Sequence, residues 1–319
     1  MYEARLNFKG DLAPVIRRAC AAYGVGEMMK FKLIEAGYED YNLKVSTMGG
    51  GKYVLKIFAS FRSAIDIERY IAVLNKVIES DIASPTLYHT EDGIMFSDSG
   101  LSMVMMDFVD GMTFYQLGAA PTNKVLEFIC EQTAKINRIK LGKKYPEIDF
   151  NYYDVRNMHK TFEEALSFLS PEDRALATLA MEEFDTVPVE ALPTCFCHRD
   201  IIKTNVMRGR DGKIFLIDFS AGNIYPRIYD LAVIIYHLCF DGRTSMQKIS
   251  KVVAEMYQKY GTLEPIELEY LAKFALGCAC MEMVGSIRWK HLSSQNNSEN
   301  EDYIELGRTA LKLYFEDEQ

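Results

Sequence analysis

The stretch from Thr194 to Leu238, TCFCHRDIIKTNVMRGRDGKIFLIDFSAGNIYPRIYDLAVIIYHL, decides the fold. Its first residues alternate as a short strand and lead into His198-Arg199-Asp200, with Asn205 five positions after Asp200. A polar turn from Arg208 to Lys213 then gives way to the apolar run Ile214-Phe215-Leu216-Ile217, which delivers Asp218. The result is a hairpin-like unit with one carboxylate before a loop, a carboxamide after it, and a second carboxylate at the end of the return strand. Such oxygen groups suit phosphoryl transfer. A carboxylate orients and deprotonates an accepting hydroxyl, and hard oxygen ligands hold a divalent cation on phosphates. An isolated His-Arg-Asp triplet arises often by chance, and Asp-rich loops are commonly solvated turns. Here the triplet, the spaced Asn, the strand and its terminal Asp come in order, and Asp230 in Tyr229-Asp230-Leu231-Ala232 opens an apolar helix.

The segments CHRDIIKTN, LIDFS and PRIYDLA resemble the catalytic and metal-binding motifs of the aminoglycoside phosphotransferase superfamily. That superfamily also holds choline kinase-like and homoserine kinase-like enzymes and shares the two-lobed protein kinase fold. Three departures stand out. Arg199 replaces the family's usual glycine, Ser220 stands where protein kinases have the glycine of Asp-Phe-Gly, and Pro226 lies one residue further from Asp230 than the family spacing. The Asp-Leu-Ala segment and the lack of an Ala-Pro-Glu motif favour the small-molecule branch over the protein kinases.

The composition agrees with an ordinary globular protein: 49% hydrophobic and 25% charged residues over 319 positions are enough for two lobes with their own cores. No apolar run approaches the roughly 20 residues of a membrane span. The opening MYEARLNFKGD has no signal-peptide apolar region, which predicts a cytoplasmic protein with no membrane partner. Seven scattered cysteines include the pairs Cys195/Cys197 and Cys278/Cys280, which lack zinc-finger spacing and read as core residues in a reducing compartment. A net charge of −9 argues against a nucleic-acid partner and is compatible with a cationic substrate.

Taken in order, Asp11 to Gly24 reads as a helix with Asp11 as its N-cap. Phe31 to Ala36 and Tyr41 to Thr47 read as strands joined by Gly37-Tyr38-Glu39-Asp40, where kinases place the turn over the ATP phosphates. Tyr53 to Phe58 is a third strand, and it contains Lys56. A lysine in so apolar a strand either pairs with an anion or faces the open side of a sheet. The resemblance implies that Lys56 contacts the α- and β-phosphates, with its partner on the following helix. There Ile65, Tyr70 or Ile71, Leu74 and Ile78 mark the expected buried face. Glu68 is the expected partner, with Asp66 as its competitor and Glu79 too near the helix end. Leu101 to Val109 is an apolar strand that the family runs into the hinge, so Met106, Asp107 and Phe108 bracket the backbone expected to meet adenine. The methionines there serve equally as core filling.

Beyond Asp110 the sequence turns helical: Asn123 to Arg138, His159 to Phe168, Pro171 to Phe184, Ser245 to Tyr260, Pro265 to Trp289 and Asn300 to Phe315. Tyr145 to Asn157 reads as a loop over the cleft, and SSQNNSEN as a linker. Where the family often has Leu-Ala-x-Leu-His, this chain has Thr133-Ala134-Lys135-Ile136-Asn137. Glu163, Glu164, Glu172, Asp173, Glu182 and Glu183 form either an acidic wall for a cationic acceptor or a solvated helix face.

The sequence thus predicts a two-lobed α+β protein kinase-like fold, residues 1–110 forming an antiparallel-sheet lobe and 111–319 a mainly helical lobe. The resemblance implies ATP-dependent phosphorylation of a small-molecule hydroxyl, with an amino-bearing acceptor preferred. A homoserine kinase- or choline kinase-like metabolic enzyme is the alternative, and a protein kinase and a nucleotide-binding pseudokinase are the rivals. It assigns Asp200 as the catalytic base, Asn205 and Asp218 as Mg²⁺ ligands, and Lys56 aligned by Glu68 as the phosphate clamp. His198 and Asp230 are supports. Lys203 reaches either the γ-phosphate or solvent.

Overall fold

The computed structural model describes residues 2–34, 40–142, 154–292 and 298–316. The phosphate-turn expectation at Gly37 to Glu39, the loop before Asp154 and the linker at 293–297 lie outside these residues. The chain forms two compact units. One comprises residues 1–112, 141–145 and 207–217; the other comprises 113–140, 146–206 and 218–319.

The first unit is a sheet with helices. After α1 (Tyr2–Leu6), α2 (Leu12–Ala22) starts at Asp11, whose side chain accepts from the Ala13 N–H at 2.9 Å. Strands β1 (Met28–Leu33), β2 (Tyr41–Thr47), β3 (Lys52–Ile57), β4 (Met95–Asp98) and β5 (Leu101–Asp107) form an antiparallel sheet in the order β1-β2-β3-β5-β4. One periodicity explains its core. Leu43, Val45, Leu55, Ile57, Met103 and Met105 alternate along their strands and cluster with Leu12, Val15, Ile16 and Ala19 of α2. Lys56, between Leu55 and Ile57, must therefore point to the opposite face.

Helix α3 (Ala64–Glu79) opens with a capping box: the Asp66 N–H donates to Ser63 Oγ at 3.2 Å, and Asp66 Oδ2 accepts from the Ser63 N–H at 3.0 Å. Its buried residues are Arg69, Tyr70, Val73, Leu74 and Val77. Ile65 and Ile78, expected on that face, are 37% and 44% exposed. Tyr70 and Leu74 of the expected face pack, together with Val73 and Val77, whereas Ile65 falls at helical spacing on the side of Glu68 and Lys76 and stays exposed.

The chain continues through β6 (Gly111–Thr113), α4 (Phe114–Leu117) and α5 (Asn123–Ile136). Gly111 has no alternative there, since a Cβ would run into the carbonyl of Arg208. Helices α6 (Met158–Ala165) and α7 (Pro171–Phe184) lead to β7 (Thr194–Cys197), followed by β8 (Val206–Gly209), β9 (Ile214–Leu216) and β10 (Asn223–Pro226). β8 joins β6 and β9 in a three-stranded sheet, while β7 pairs antiparallel with β10, a strand the sequence did not announce. Then come α8 (Ile228–Val233), which runs on as a π-helical turn to Cys239, α9 (Met246–Gln258), α10 (Pro265–Leu292) and α11 (Ser298–Glu316). Helix α10 is long and apolar enough to cross a membrane by length and composition, but 78% of its apolar window is buried inside this fold. It is the central helix of the second unit, packed by α6, α7, α8, α9 and α11.

The start of α10 is fastened by Glu267, which is fully buried. Its carboxylate accepts from Arg227 Nε at 2.9 Å, from Arg227 Nη2 and from the Glu264 N–H at 2.8 Å. Glu267→Ala would strand a partly buried guanidinium and is expected to lower stability by about 3 kcal/mol. Glu79→Ala, which breaks the exposed pair with Lys76, is expected to change nothing measurable. Urea unfolding of the two variants checks both values.

Candidate active site

The loop after β7 is gripped from below by one carboxylate. Asp230, on the first turn of α8 and fully buried, accepts from the His198 N–H at 2.9 Å and from the Arg199 N–H at 2.8 Å. Asn137 Nδ2 donates to the same carboxylate at 3.3 Å and to the Phe196 carbonyl at 3.0 Å, while Asn137 Oδ1 accepts from the Tyr257 hydroxyl at 2.8 Å. Asn137 is the residue noted in sequence for departing from the family's histidine. Its spacing alone gave no hint of this role. Burial pushes the Asp230 pKa up to about 6, partly offset by the N–H groups of Arg199 and His198 and by Asn137.

So held, the loop presents Asp200. Its N–H donates to His198 Nδ1 at 3.2 Å, which fixes the histidine tautomer with its proton on Nε2. The His198 ring lies against Phe219, with centroids 4.5 Å apart. Asn205 Nδ2 donates to both Asp200 Oδ2 (2.5 Å) and the Asp200 carbonyl (3.1 Å). Asp200, expected as the base, and Asn205, expected as a metal ligand, are therefore in direct contact. Asp218 adopts a left-handed backbone (φ 62°), and its Oδ1 accepts from the Ser220 N–H at 3.2 Å. Lys203 is half-buried. Burial lowers its pKa, Cys239 partly opposes this, and its carbonyl accepts from the Tyr115 N–H at 3.0 Å.

In the first unit, Lys56 is only 5% exposed, which removes the reading of an open-face lysine. Its Nζ lies 3.4 Å from Asp40 Oδ2 and 5.1 Å from the Tyr70 ring centroid. Asp40 also accepts from the Ala59 N–H at 3.1 Å and from Arg62 Nε at 2.7 Å. Glu68, the carboxylate expected to align Lys56, is exposed on α3, and its competitor Asp66 caps that helix. Asp40 was missed as a partner because it sat at the end of a presumed turn. At the end of β5, the Asp107 N–H donates to the Thr86 carbonyl at 2.9 Å and the Phe108 N–H to Lys52 at 3.2 Å. Met106 faces Val54 in the sheet, the Tyr88 hydroxyl donates to Asp107 at 2.8 Å, and Lys44 covers the Phe108 ring at 3.6 Å.

The acidic residues of α6 and α7 are largely matched inside the molecule. Glu164 meets Arg288 at 2.7 Å, Glu183 meets Lys273 at 2.7 Å, Glu172 meets Lys312 at 2.5 Å, and Asp173 meets Arg308 at 2.8 Å. A cavity of about 440 Å³ in the second unit is lined by Phe168, Asp173, His291, Asp302 and Arg308 among others, and by none of the residues expected to serve as base, metal ligands or nucleotide contacts. All seven cysteines are free thiols, and the Cys195 and Cys197 sulfurs lie 3.8 Å apart on one face of β7.

Residues 30–263 match the profile of the phosphotransferase enzyme family, APH. The chain belongs to this family. It is similar to a homoserine kinase of Rhodopseudomonas palustris (strain BisA53), 26% identical over 264 residues, covering 81% of this chain and 78% of that one. It is likewise similar to a homoserine kinase of Bradyrhizobium sp. (strain ORS 278), 24% identical over 81% of this chain and 79% of that one. Among solved structures, it shares its fold with a spectinomycin phosphotransferase in complex with ADP and spectinomycin (TM-score 0.69, 14% identity, 97% of this chain and 99% of that one). It shares it equally with a microcompartment-associated aminopropanol kinase (TM-score 0.69, 14% identity, 95% and 96%). The α+β kinase-like fold and the small-molecule phosphotransferase class expected from sequence both hold.

The Asp230 carboxylate makes pH a test of the loop. Its folded-state pKa of about 6 lies above the ordinary 3.8, so the folded protein binds the extra proton and this group's contribution to stability falls as pH rises from about 4 to about 6. Its grip on the two N–H groups moves the other way, because only the ionised form offers both oxygens. Turnover is expected to rise through pH of about 6. In Asp230→Asn, whose amide opposes one N–H, it is expected to be roughly ten- to a hundredfold lower with that limb gone. A pH–rate profile of both proteins checks this.

Proposed function

We propose that the chain is an ATP-dependent kinase that phosphorylates the hydroxyl of a small amino-bearing molecule about the size of homoserine. The observation that carries the reading is the Asp200–Asn205 contact on a loop anchored by Asp230. In the reaction, the acceptor oxygen attacks the γ-phosphorus, the bond from that phosphorus to the bridging oxygen breaks, and ADP leaves. The acceptor proton passes to the Asp200 carboxylate. Lys56 positions the phosphates, with the buried Asp40 carboxylate 3.4 Å from its Nζ and Glu68 on the following helix as the carboxylate expected to align it. The adenine lies along the end of β5, near Met106, Asp107 and Phe108.

The donor set fits Mg²⁺. Asn205 uses its Nδ2 toward Asp200, which leaves Oδ1 as an oxygen ligand, and Asp218 adds a carboxylate. Among the described residues no cluster of three His, Cys, Asp or Glu side chains stands ready for a metal. A site completed by the nucleotide's own phosphates is the usual arrangement for this ion. Bound there, Mg²⁺ would neutralise charge on the phosphates.

Two findings favour a small acceptor over a polycation. Glu164, Glu172, Asp173 and Glu183 on α6 and α7 are each paired with a cation of this chain, which leaves less free negative charge there for a polycation. The homoserine kinases match this chain over about four-fifths of its length.

Three measurements test the proposal. Asp200→Asn is expected to abolish ADP release in the presence of acceptor while leaving nucleotide affinity within about twofold, since this carboxylate faces the acceptor. Asp218→Ala is expected to weaken Mg²⁺-dependent nucleotide binding more than Asn205→Ala, because a carboxylate holds a hard cation better than a carboxamide dipole. A larger loss for Asn205 reverses the two roles. A screen of ADP release over homoserine, choline, aminosugars and aminoglycosides is expected to favour homoserine or an amino alcohol of its size. An aminoglycoside as best acceptor, with affinity falling steeply in salt, would overturn the small-acceptor reading.

A further inference from the structure

The residue before Asp200 is the least expected in the loop. Arg199 has φ 67°, in the left-handed region that glycine enters freely and long side chains avoid. It is nevertheless 6% exposed, and its guanidinium has a built seat. The guanidinium carbon lies 4.5 Å from the Tyr225 ring centroid and 5.4 Å from that of Tyr229, and Nη2 lies 3.9 Å from Asp154 Oδ2. Asp154, itself 3% exposed, is locked in turn. It accepts from the Tyr225 hydroxyl, from Arg156 Nη2 at 2.8 Å and from the Arg156 N–H at 2.9 Å. The Arg156 guanidinium also lies 4.2 Å from the Tyr225 ring centroid. Burial opposes ionisation of Asp154, but Arg156, Tyr225 and Arg199 outweigh it, so the carboxylate stays charged.

We propose that Arg199 is a positioning residue for Asp200: its guanidinium, seated on Tyr225 and Tyr229 and facing Asp154, fixes the loop from the side-chain direction while Asp230 fixes it through the main chain. The two grips share an element, since Tyr229 and Asp230 are neighbours on the first turn of α8. A rotation of Arg199 about its strained backbone would swing the following Cα, and Asp200 with it. The cationic seat removes that freedom. This inference rests on the reading of Asp200 as the base.

Arg199→Gly separates positioning from filling, because glycine keeps the left-handed backbone without strain while deleting the seat's occupant. Asp154→Asn deletes the charge and keeps the shape. Amide hydrogen exchange of the segment 194–206 reads the loop without any acceptor. Either variant is expected to speed exchange there about tenfold, with nucleotide affinity unchanged. With the acceptor found by the screen, kcat is expected to fall about thirtyfold at constant KM for ATP. The double variant should be no worse than the worse single one, as for residues acting as one unit. Should Arg199→Gly not fold, Asp154→Asn and Arg199→Lys carry the same readouts, with Arg199→Lys expected to restore part of the protection. Loop exchange and kcat within about twofold of wild type, or singles that multiply in the double variant, overturn the proposal. Failure of the kinase reading shows separately, as turnover surviving Asp200→Asn.

Discussion

Two successive N–H groups, those of His198 and Arg199, end on the carboxylate of Asp230, and the geometry of the loop that carries Asp200 depends on that interaction. A charge without solvent costs several kcal/mol unless its lone pairs are filled. Here two main-chain donors and the Asn137 amide fill them. The carboxylate is no freer than the helix that bears it. Ile228, Leu231 and Ala232, on either side of Asp230, are completely buried, so the loop inherits its position from the core of the second unit. The π-helical turn that follows, Ile234–Cys239, keeps this segment buried through five more residues. Function and packing therefore meet in one turn of helix.

Much of this arrangement was legible in the sequence, and the reason is local. His198, Asp200, Asn205, Asp218 and Asp230 lie within 33 consecutive residues, in the order of the family motifs they resemble. Helix α2 begins where Asp11 caps it, as the capping residue announces. What could not be read is what joins distant segments. Asn137 reaches Asp230 across 93 positions, and Tyr257 reaches Asn137 across 120. Asp40 meets Lys56 only because β2 and β3 are neighbours, with Asp40 one residue before Tyr41 and opposite the strand that carries Lys56. The exact edge of the buried face of α3 belongs to the same class, because the elements packed on it decide how far its apolar side is covered. β10 was hidden because four residues ending in proline, Asn223–Pro226, carry little strand signal until β7 lies beside them.

Electrostatics shows the limit of whole-chain quantities. A net charge of −9 suggested a field for cations, and the carboxylates of α6 and α7 supplied the surface for it. Yet Glu164, Glu172, Asp173 and Glu183 each lie against a cation from α10 or α11. Pairs of this kind cancel at short range, and most are too exposed to contribute much to stability. Their consequence is to tie α6 and α7 to α10 and α11 in register, so they bear on architecture more than on substrate choice.

Backbone strain gives a finer pointer to the site than charge does. Among the described residues, five without glycine's freedom have positive φ: Asn7, Asp81, Ser99, Arg199 and Asp218. Asn7, Asp81 and Ser99 are small and polar, the residues that tolerate this region in ordinary turns. Asp218 fits that description, and its side chain bonds the Ser220 N–H two residues on, as such turns require. Arg199 fits none of it. A left-handed arginine costs roughly 1–2 kcal/mol. It persists because contacts from outside the loop hold it: two tyrosine rings, each worth about 0.5–2 kcal/mol to a buried cation, and a carboxylate already oriented by Arg156 and Tyr225. A strained position maintained by that much independent structure, one residue before Asp200, is the local signature of a geometry the fold is built to keep.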